Sequence, residues 1–360
     1  MPIDPVSQLP RVSVIIVSWN ARELLKEFLP GVVATDYADL EVILADNASE
    51  DGSAEWVQGN LPQVRIVRHE ENYAFCKGNN LAYPYASGEY IVFLNNDVEV
   101  PPGWLTPLVN RMLSDPSIGA VQPKVRSLRD RSRFEYAGAA GGFLDRFGYP
   151  FARGRIFFHT ERDSGQYDTP SDIFWATGAA MMLRRSAAEK VGLFDENFFM
   201  HMEEIDLCWR LHRAGFRVVL EPGSVVYHVG AASLAESSPR KAYLNFRNSL
   251  LTLYKNLSPR EWRLTIVLRF GLDALAALRA LLAGRPREAS AIARAWRDAL
   301  KMRRVYAGER PDSGSLRMLY NGSIVVDYFV CRRRRFSTLS ASRLPLLGTG
   351  GRATSGSSQS

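Results

Sequence analysis

Tyr90-Ile91-Val92-Phe93-Leu94-Asn95-Asn96-Asp97 reads as an apolar strand that runs out into two amides and a carboxylate, the place where open α/β sheets put their ligands. Such an ending suits a metal ion or a phosphate, although a single carboxylate after a strand also serves as a plain turn cap. Upstream, Arg11 to Val17 is a β-branched run too continuous for a one-sided sheet, so it predicts a strand buried on both faces, followed by a helix from about Arg22. Leu40 to Leu44 repeats the pattern and ends in Ala45-Asp46-Asn47-Ala48-Ser49, polar turn residues able to cap a helix near Asp51. Gln63 to Val67 predicts a third strand, Phe75 to Ala86 a third helix and Tyr90 to Leu94 a fourth strand. Alternation of this kind implies an α/β fold with a mostly parallel central sheet flanked by helices. Its carboxyl-end crevice would collect Ser18, Asn20, Asp46 and Asp97.

Charge divides the chain. Residues 1–235 carry 22 Lys and Arg against 30 Asp and Glu, whereas residues 236–335 carry 21 against 8. The basic excess belongs to the C-terminal third, whose expected partner is an anionic surface. Arg260 to Ala283 is long enough to reach across a bilayer, yet it contains Arg269, Asp273 and Arg279. An interfacial helix is expected there, with these arginines and those from Arg285 to Arg304 meeting acidic headgroups; the alternative is a helical hairpin packed on the first domain. Arg332 to Arg335, behind the apolar Ile324 to Val330, form a second candidate anchor. The basic stretch has no reading motif or interleaved stacking aromatics, so no nucleic-acid partner is expected. Three scattered cysteines and no signal-peptide core point to a reducing cytoplasm, at the inner face of the cell membrane. The expected organisation is a catalytic domain over 1–235, a basic helical extension from about Leu234 over 236–310, and a basic segment with a disordered tail over 311–360.

Taken together, Val14 to Asn20, Asp46 to Ser53, Gly78-Asn79-Asn80, Asn95-Asn96-Asp97, Thr177 to Arg185, Val191 to Glu196, Glu203 to Arg210 and His228-Val229-Gly230 resemble, in order and spacing, family 2 glycosyltransferases of the GT-A fold, with a rhamnosyltransferase-like branch as the nearest likeness. The resemblance covers about Arg11 to Asn256. It implies an inverting hexosyltransferase acting in cell-surface polysaccharide biosynthesis, with a UDP- or dTDP-sugar donor, rhamnose leading, and a saccharide or lipid-linked saccharide acceptor.

By the same resemblance, Asp46 meets the pyrimidine of the nucleotide-sugar, with Ser18 and Asn20 beside it; an acceptor carboxylate suits the imide N–H of uracil or thymine. Gly78, Asn79 and Asn80, early in a helix, would bring small side chains and backbone N–H groups to the sugar or diphosphate, with Lys77 adding a cation. Asp97 stands at the last acidic position of the DxD-type motif and His228 at the late histidine that completes the site in relatives. Their ion would be Mg²⁺ or Mn²⁺. Asn95 shares Asp97's face if the segment stays extended, and Asn96 points away. The amides in place of acids imply a site that takes its ion mainly with the nucleotide. Glu204 matches the base, with Glu203 in competition, because acidic residues in a first helical turn are also favoured by the dipole. Asp206 and Arg210 are spaced for an ion pair. Trp175, Thr177 and Gly178 match the acceptor loop, where the indole either stacks on a sugar or belongs to the core, and Arg247 is a diphosphate contact. Two rivals remain: a sugar-1-phosphate nucleotidyltransferase, which needs a Gly-rich basic signature that Ser18-Trp19-Asn20 lacks, and a silent nucleotide-sugar-binding scaffold. The stretch Arg126 to Asp168 follows no pattern that places it.

Overall fold

A computed structural model describes residues 9–230, 238–308, 310–312, 316–345 and 347. The chain opens as β1 (Val12–Ser18), α1 (Arg22–Val33), β2 (Leu40–Asp46), α2 (Ser53–Asn60), β3 (Arg65–Arg68), α3 (Ala74–Ala82) and β4 (Tyr90–Leu94). β3, β2, β1 and β4 pair in parallel in that spatial order, with Ser18 opposite Asp46 in the β1–β2 register. Ile15 faces one apolar core and Val14 and Ile16 the other, all of them buried, as a strand covered on both sides requires. The third helix stops at Ala82, short of the expected Ala86, and tightens into a 3₁₀ turn over Tyr83–Tyr85, which contains Pro84.

Beyond β4 the topology changes. β5 (Val98–Glu99), α4 (Leu105–Ser114), β6 (Ile118–Ser127), β7 (Gly142–Leu144), β8 (Pro150–Ala152), β9 (Arg155–Ile156), β10 (His159–Thr160), β11 (Ser171–Asp172), β12 (Ala180–Arg184), α5 (Arg185–Val191), α6 (Glu203–Arg213) and β13 (Arg217–His228) follow. β12 enters antiparallel between β4 and β6, so the parallel half continues into a mixed nine-stranded sheet. The stretch that no sequence pattern placed supplies all four strands of a small second sheet, β10-β9-β8-β7.

Four longer helical elements complete the chain: α7 (Pro239–Asn256), α8 (Pro259–Leu282), α9 (Pro286–Met302) and α10 (Ile324–Phe329). The expected start of α7 near Leu234 lies outside the described residues, as does the tail after Gly348. A capping box starts α8: Ser258 Oγ accepts from Glu261 N (3.2 Å) and Glu261 Oε2 accepts from Ser258 N (2.9 Å), with Pro259 at the first helical position. Tyr320, Ile324 and Leu339 join the core beside Phe143 and Phe151, so part of the C-terminal segment packs on the small sheet.

One buried knot fastens α6 to α7. Asp206, the ion-pair partner expected for Arg210 (2.8 Å), also meets Lys255 Nζ (3.1 Å) and accepts from Asn256 Nδ2 (2.8 Å). Burial alone would raise its pKa, but Arg210 and Lys255 hold it below the ordinary aspartate range. Its contribution is therefore present above the unfolded pKa and lost as pH falls through the lowered folded value. Asp206→Asn is expected to lower unfolding free energy by about 3 kcal/mol, because it removes the buried carboxylate of Arg210 and leaves Lys255 with Asp195 alone; urea melts at neutral pH measure this.

Candidate active site

The carboxyl ends of β1 and β2 form one wall. Asp46 is buried; its Oδ2 accepts from Ser49 N at 3.3 Å, and its Oδ1 has no protein partner. A buried acceptor left open in this way is costly unless something donates to it. Asn20 adopts a left-handed φ of 46° and ties the loop together: its N–H donates to Ser49 Oγ (2.9 Å) and its Oδ1 accepts from Glu50 N (2.8 Å). Beside it Trp19, absent from the sequence-derived assignments, leaves 53% of its surface exposed at the strand's exit.

Asn95, Asn96 and Asp97 form a turn, not the extended strand on which the shared-face argument depended. The side chains nonetheless divide as expected. Asn96 Nδ2 donates to Ser18 Oγ (3.0 Å), toward the Asp46 wall, whereas Asn95 Nδ2 and Asp97 Oδ1 lie 3.4 and 3.0 Å from His228 Nε2. Backbone pairing brings this about: Val98 is opposite His228 in the β5–β13 ladder, and Val229 N donates to the Asp97 carbonyl (3.1 Å). The other imidazole nitrogen, Nδ1, is 3.2 Å from Glu135 Oε2. Glu135 lies in the unplaced stretch and carried no sequence signal. Burial opposes a charged imidazole, but Asp97 and Glu135 together push His228 up to about 10.

Among the described residues no three His, Cys, Asp or Glu side chains are arranged to hold a metal on their own. The donor chemistry of Asp97 and His228 still fits a shared ion. The 3.0 Å between their atoms is that of an imidazolium–carboxylate pair, and an ion held by both would displace the Nε2 proton. A carboxylate behind the histidine is the usual outer support of such a ligand. Were both to hold an ion, its remaining positions would fall to other oxygens, such as those of a diphosphate.

On the opposite side, α6 begins at Glu203 after a loop in which Phe199, His201 and Met202 all have φ near +70°. Left-handed non-glycine residues are strained and persist only where surroundings hold them. Asn248, fully buried on α7, does so: its Nδ2 donates to the carbonyls of Phe198 (2.9 Å), Met200 (2.9 Å) and His201 (2.7 Å). Arg247 donates to the carbonyls of Asn197 and Phe198 (both 3.0 Å) and to Asn248 Oδ1 (2.8 Å). Arg247, expected as a diphosphate contact, here secures the loop through its Nε and one terminal nitrogen.

Glu203 is enclosed, and burial together with the neighbouring Glu204 raises its pKa well above the carboxylate range. Glu204 keeps partial access, and burial lifts it to about 7. Of the pair, Glu204 is thus the carboxylate able to take a proton near neutrality, while burial favours the neutral form of Glu203. Each has one buried oxygen without a protein partner. A Cβ placed on Gly178 would lie 3.9 Å from Glu204 Cβ, and the next carbonyl, Ala179 O, accepts from Asn95 N (3.0 Å). Ser18, paired in register with Asp46, contacts Asn96, and Asp97 contacts His228, while Glu204 lies beside Gly178, one residue before the carbonyl that Asn95 meets, so all of them belong to one end of the sheet.

Several expected ligand contacts are packing residues here. Trp175 is core: its Nε1 donates to the Phe143 carbonyl (2.9 Å), and the ring lies so close on Gly142 that a Cβ there would come within 2.0 Å of it. Thr177 is buried, and its N–H donates to Gln122 Oε1 (2.9 Å). α3 starts at Ala74, so the N–H groups of Gly78, Asn79 and Asn80 lie inside the helical ladder and are not free. Gly78 sits against Asn47 and Val17 (3.1 Å each from an added Cβ), Asn79 Nδ2 donates to the Phe75 carbonyl (2.9 Å), and Asn80 Nδ2 donates to the Phe194 carbonyl (2.8 Å). Lys77 Nζ rests 3.7 Å from the centre of the Tyr73 ring.

Residues 13–192, half of the chain, match the family described as Glycosyl transferase family 2. The chain is a family 2 glycosyltransferase. It is 33% identical over 253 residues to the O-antigen biosynthesis protein RfbC of Myxococcus xanthus, covering 66% of this chain but only 19% of that longer protein. It is 27% identical over 288 residues to the N-acetylglucosaminyl-diphospho-decaprenol L-rhamnosyltransferase of Mycobacterium tuberculosis, covering 74% of this chain and 94% of that one. These relatives place the glycosyltransferase in a rhamnosyltransferase-like branch. Its GT-A fold is shared with GalNAc-T7 solved with UDP, GalNAc and Mn²⁺ (TM-score 0.54, 17% identity, 69% of this chain and 48% of that one). It is shared as well with the mannosyltransferase PcManGT of Pyrobaculum calidifontis solved with GDP-Man and Mn²⁺ (TM-score 0.50, 21% identity, 84% of each).

In this glycosyltransferase Asn248 acts as a positioning residue. Asn248→Ala is expected to lower kcat by about 10²-fold, the scale of an ångström-sized misplacement, with little change in donor KM because Asp46 and Ser18 lie on a separate wall. Steady-state kinetics, with hydrogen exchange over residues 197–202, tests it.

Proposed function

We propose that this enzyme transfers one sugar, with inversion, from a UDP- or dTDP-sugar to a saccharide or lipid-linked saccharide acceptor in cell-surface polysaccharide biosynthesis, working at the inner face of an anionic membrane. The observation that carries the reading is the pairing of Asp97 with His228 on the same sheet end as Glu204, whose pKa lies near 7. Asp46 Oδ1 accepts the imide N–H of the pyrimidine, and Trp19 offers its exposed face to the same ring. Glu204 removes the proton from the acceptor hydroxyl as that oxygen attacks the anomeric carbon. The bond from that carbon to the diphosphate oxygen breaks on the far side, and the nucleoside diphosphate leaves with the electron pair. A divalent ion, Mg²⁺ or Mn²⁺, held by Asp97 and His228 would supply positive charge to the leaving diphosphate. Rhamnose is the leading donor sugar, supported by the branch in which the chain falls.

The test is a panel of radiolabelled nucleotide sugars, dTDP-rhamnose among them, incubated with the protein, divalent ion and polyprenyl-diphosphate-linked N-acetylglucosamine. Transfer of label to the lipid fraction from one donor supports the proposal. Donor binding by calorimetry without turnover on any donor would leave a silent binding protein in its place.

A further inference from the structure

The longest helix is built inside out. Toward the protein α8 turns Arg269 and Asp273, both buried: Arg269 Nε lies 2.9 Å from Asp273, its NH1 donates to the Phe147 carbonyl (2.7 Å) and to Ser249 Oγ (2.8 Å), and Trp296 Nε1 from α9 donates to Asp273 Oδ2 (2.8 Å). The sequence-based expectation that Arg269 meets headgroups is thereby corrected. Away from the protein the same helix presents Leu264, Val267, Leu268, Leu275, Leu278 and Leu282, between 51% and 82% exposed. Leu264, Leu268, Leu275 and Leu282, at spacings of 4, 7 and 7, fall on one line about 27 Å long. A water-facing helix has the opposite arrangement.

We infer that this outward face of α8, continued by α10, lies in the headgroup–acyl boundary of an anionic bilayer. Cations frame it: the exposed Arg260 and Arg263 precede the apolar line, and Arg285 and Arg287 follow it. Arg279 links it sideways to a second apolar patch, its guanidinium 5.9 Å from the Phe158 ring and 5.4 Å from the Phe329 ring. There Val330 is 73% exposed and is followed by the exposed Arg332, Arg334 and Arg335. An apolar strip ringed by arginines complements acidic headgroups above acyl chains. A second copy of the chain would set those arginines against one another. No described helix is long and apolar enough to cross a membrane, so the contact is in-plane. The inference gives the proposed membrane location a surface and rests on that reading only for the acceptor it serves.

Flotation of the full chain with vesicles of phosphatidylglycerol and phosphatidylcholine tests it. Wild type is expected to float with these vesicles and at least tenfold less with phosphatidylcholine alone. The variant Leu268→Glu/Leu275→Glu is expected to lose flotation at least tenfold with an unchanged melting temperature. Wild-type protein that stays behind, or a double variant that floats as wild type, overturns the inference. So does a wild-type dimer in sedimentation velocity that the double substitution splits while vesicles bind neither. Flotation with no donor turnover would refute the transferase reading and leave this surface standing.

Discussion

Glu204→Gln is expected to lower sugar transfer by about 10³-fold or more, within the range that a positioned general base contributes, while leaving the donor's dissociation constant within about twofold. The amide keeps the shape and loses the proton acceptor. In the wild type, kcat/KM should climb as pH rises through about 7, because burial holds Glu204 protonated below that value and only the carboxylate form can act. The ascending limb should vanish in the variant. Glu203→Gln is the control. Glu203 is enclosed and burial favours its neutral form, so the substitution should cost far less and leave the limb in place. Initial rates from pH 5.5 to 8.5 on all three proteins check this, and a larger loss from Glu203→Gln than from Glu204→Gln would reverse the assignment.

Asp97→Ala carries the other large effect. Removing the one carboxylate that adjoins His228 Nε2 should weaken ion retention and reduce transfer by about 10²–10³-fold, the usual scale for losing electrostatic support of developing charge. A readout independent of turnover is Mn²⁺ binding in the presence of nucleoside diphosphate, followed by electron paramagnetic resonance. The free-ion signal should drop on mixing with wild type and persist with the variant. Equal Mn²⁺ uptake by both proteins would remove Asp97 from the ion's ligands.

Where hydrophobic pattern and turn chemistry act locally, sequence and structure agree closely. β4 spans Tyr90–Leu94 as read, α1 starts at Arg22, and α8 runs over nearly the expected interval. The convergence of Asp97 on His228, 131 positions apart, was legible only through likeness to a family, since no local rule pairs β5 with β13. Glu135 was illegible because a single glutamate in an unpatterned stretch gains meaning only from the imidazole it meets. Trp175 and Arg247 mark the opposite limit. Both stand where residue type suits a ligand, yet the indole N–H and the guanidinium are taken up by backbone carbonyls of Phe143, Asn197 and Phe198. Sequence position could not distinguish a group offered to substrate from one spent on a neighbouring loop. The same holds for α8, whose charged residues suggested a wet face and whose leucines suggested a dry one, the reverse of what the fold does.

The amide of Asn248 has a consequence for the working limits of this enzyme. The carbonyls it grips precede Glu204 by only a few positions, yet it sits on a helix that begins after the last strand of the sheet. Loss of that amide alone would leave the sheet-end residues Asp46 and Asp97 untouched, but three left-handed residues would then be free to unwind, carrying the Glu204 carboxylate out of register. A protein weakened at that one contact should keep its core and yet turn over slowly, so a helix beyond the sheet governs the far wall of the crevice through a single side chain.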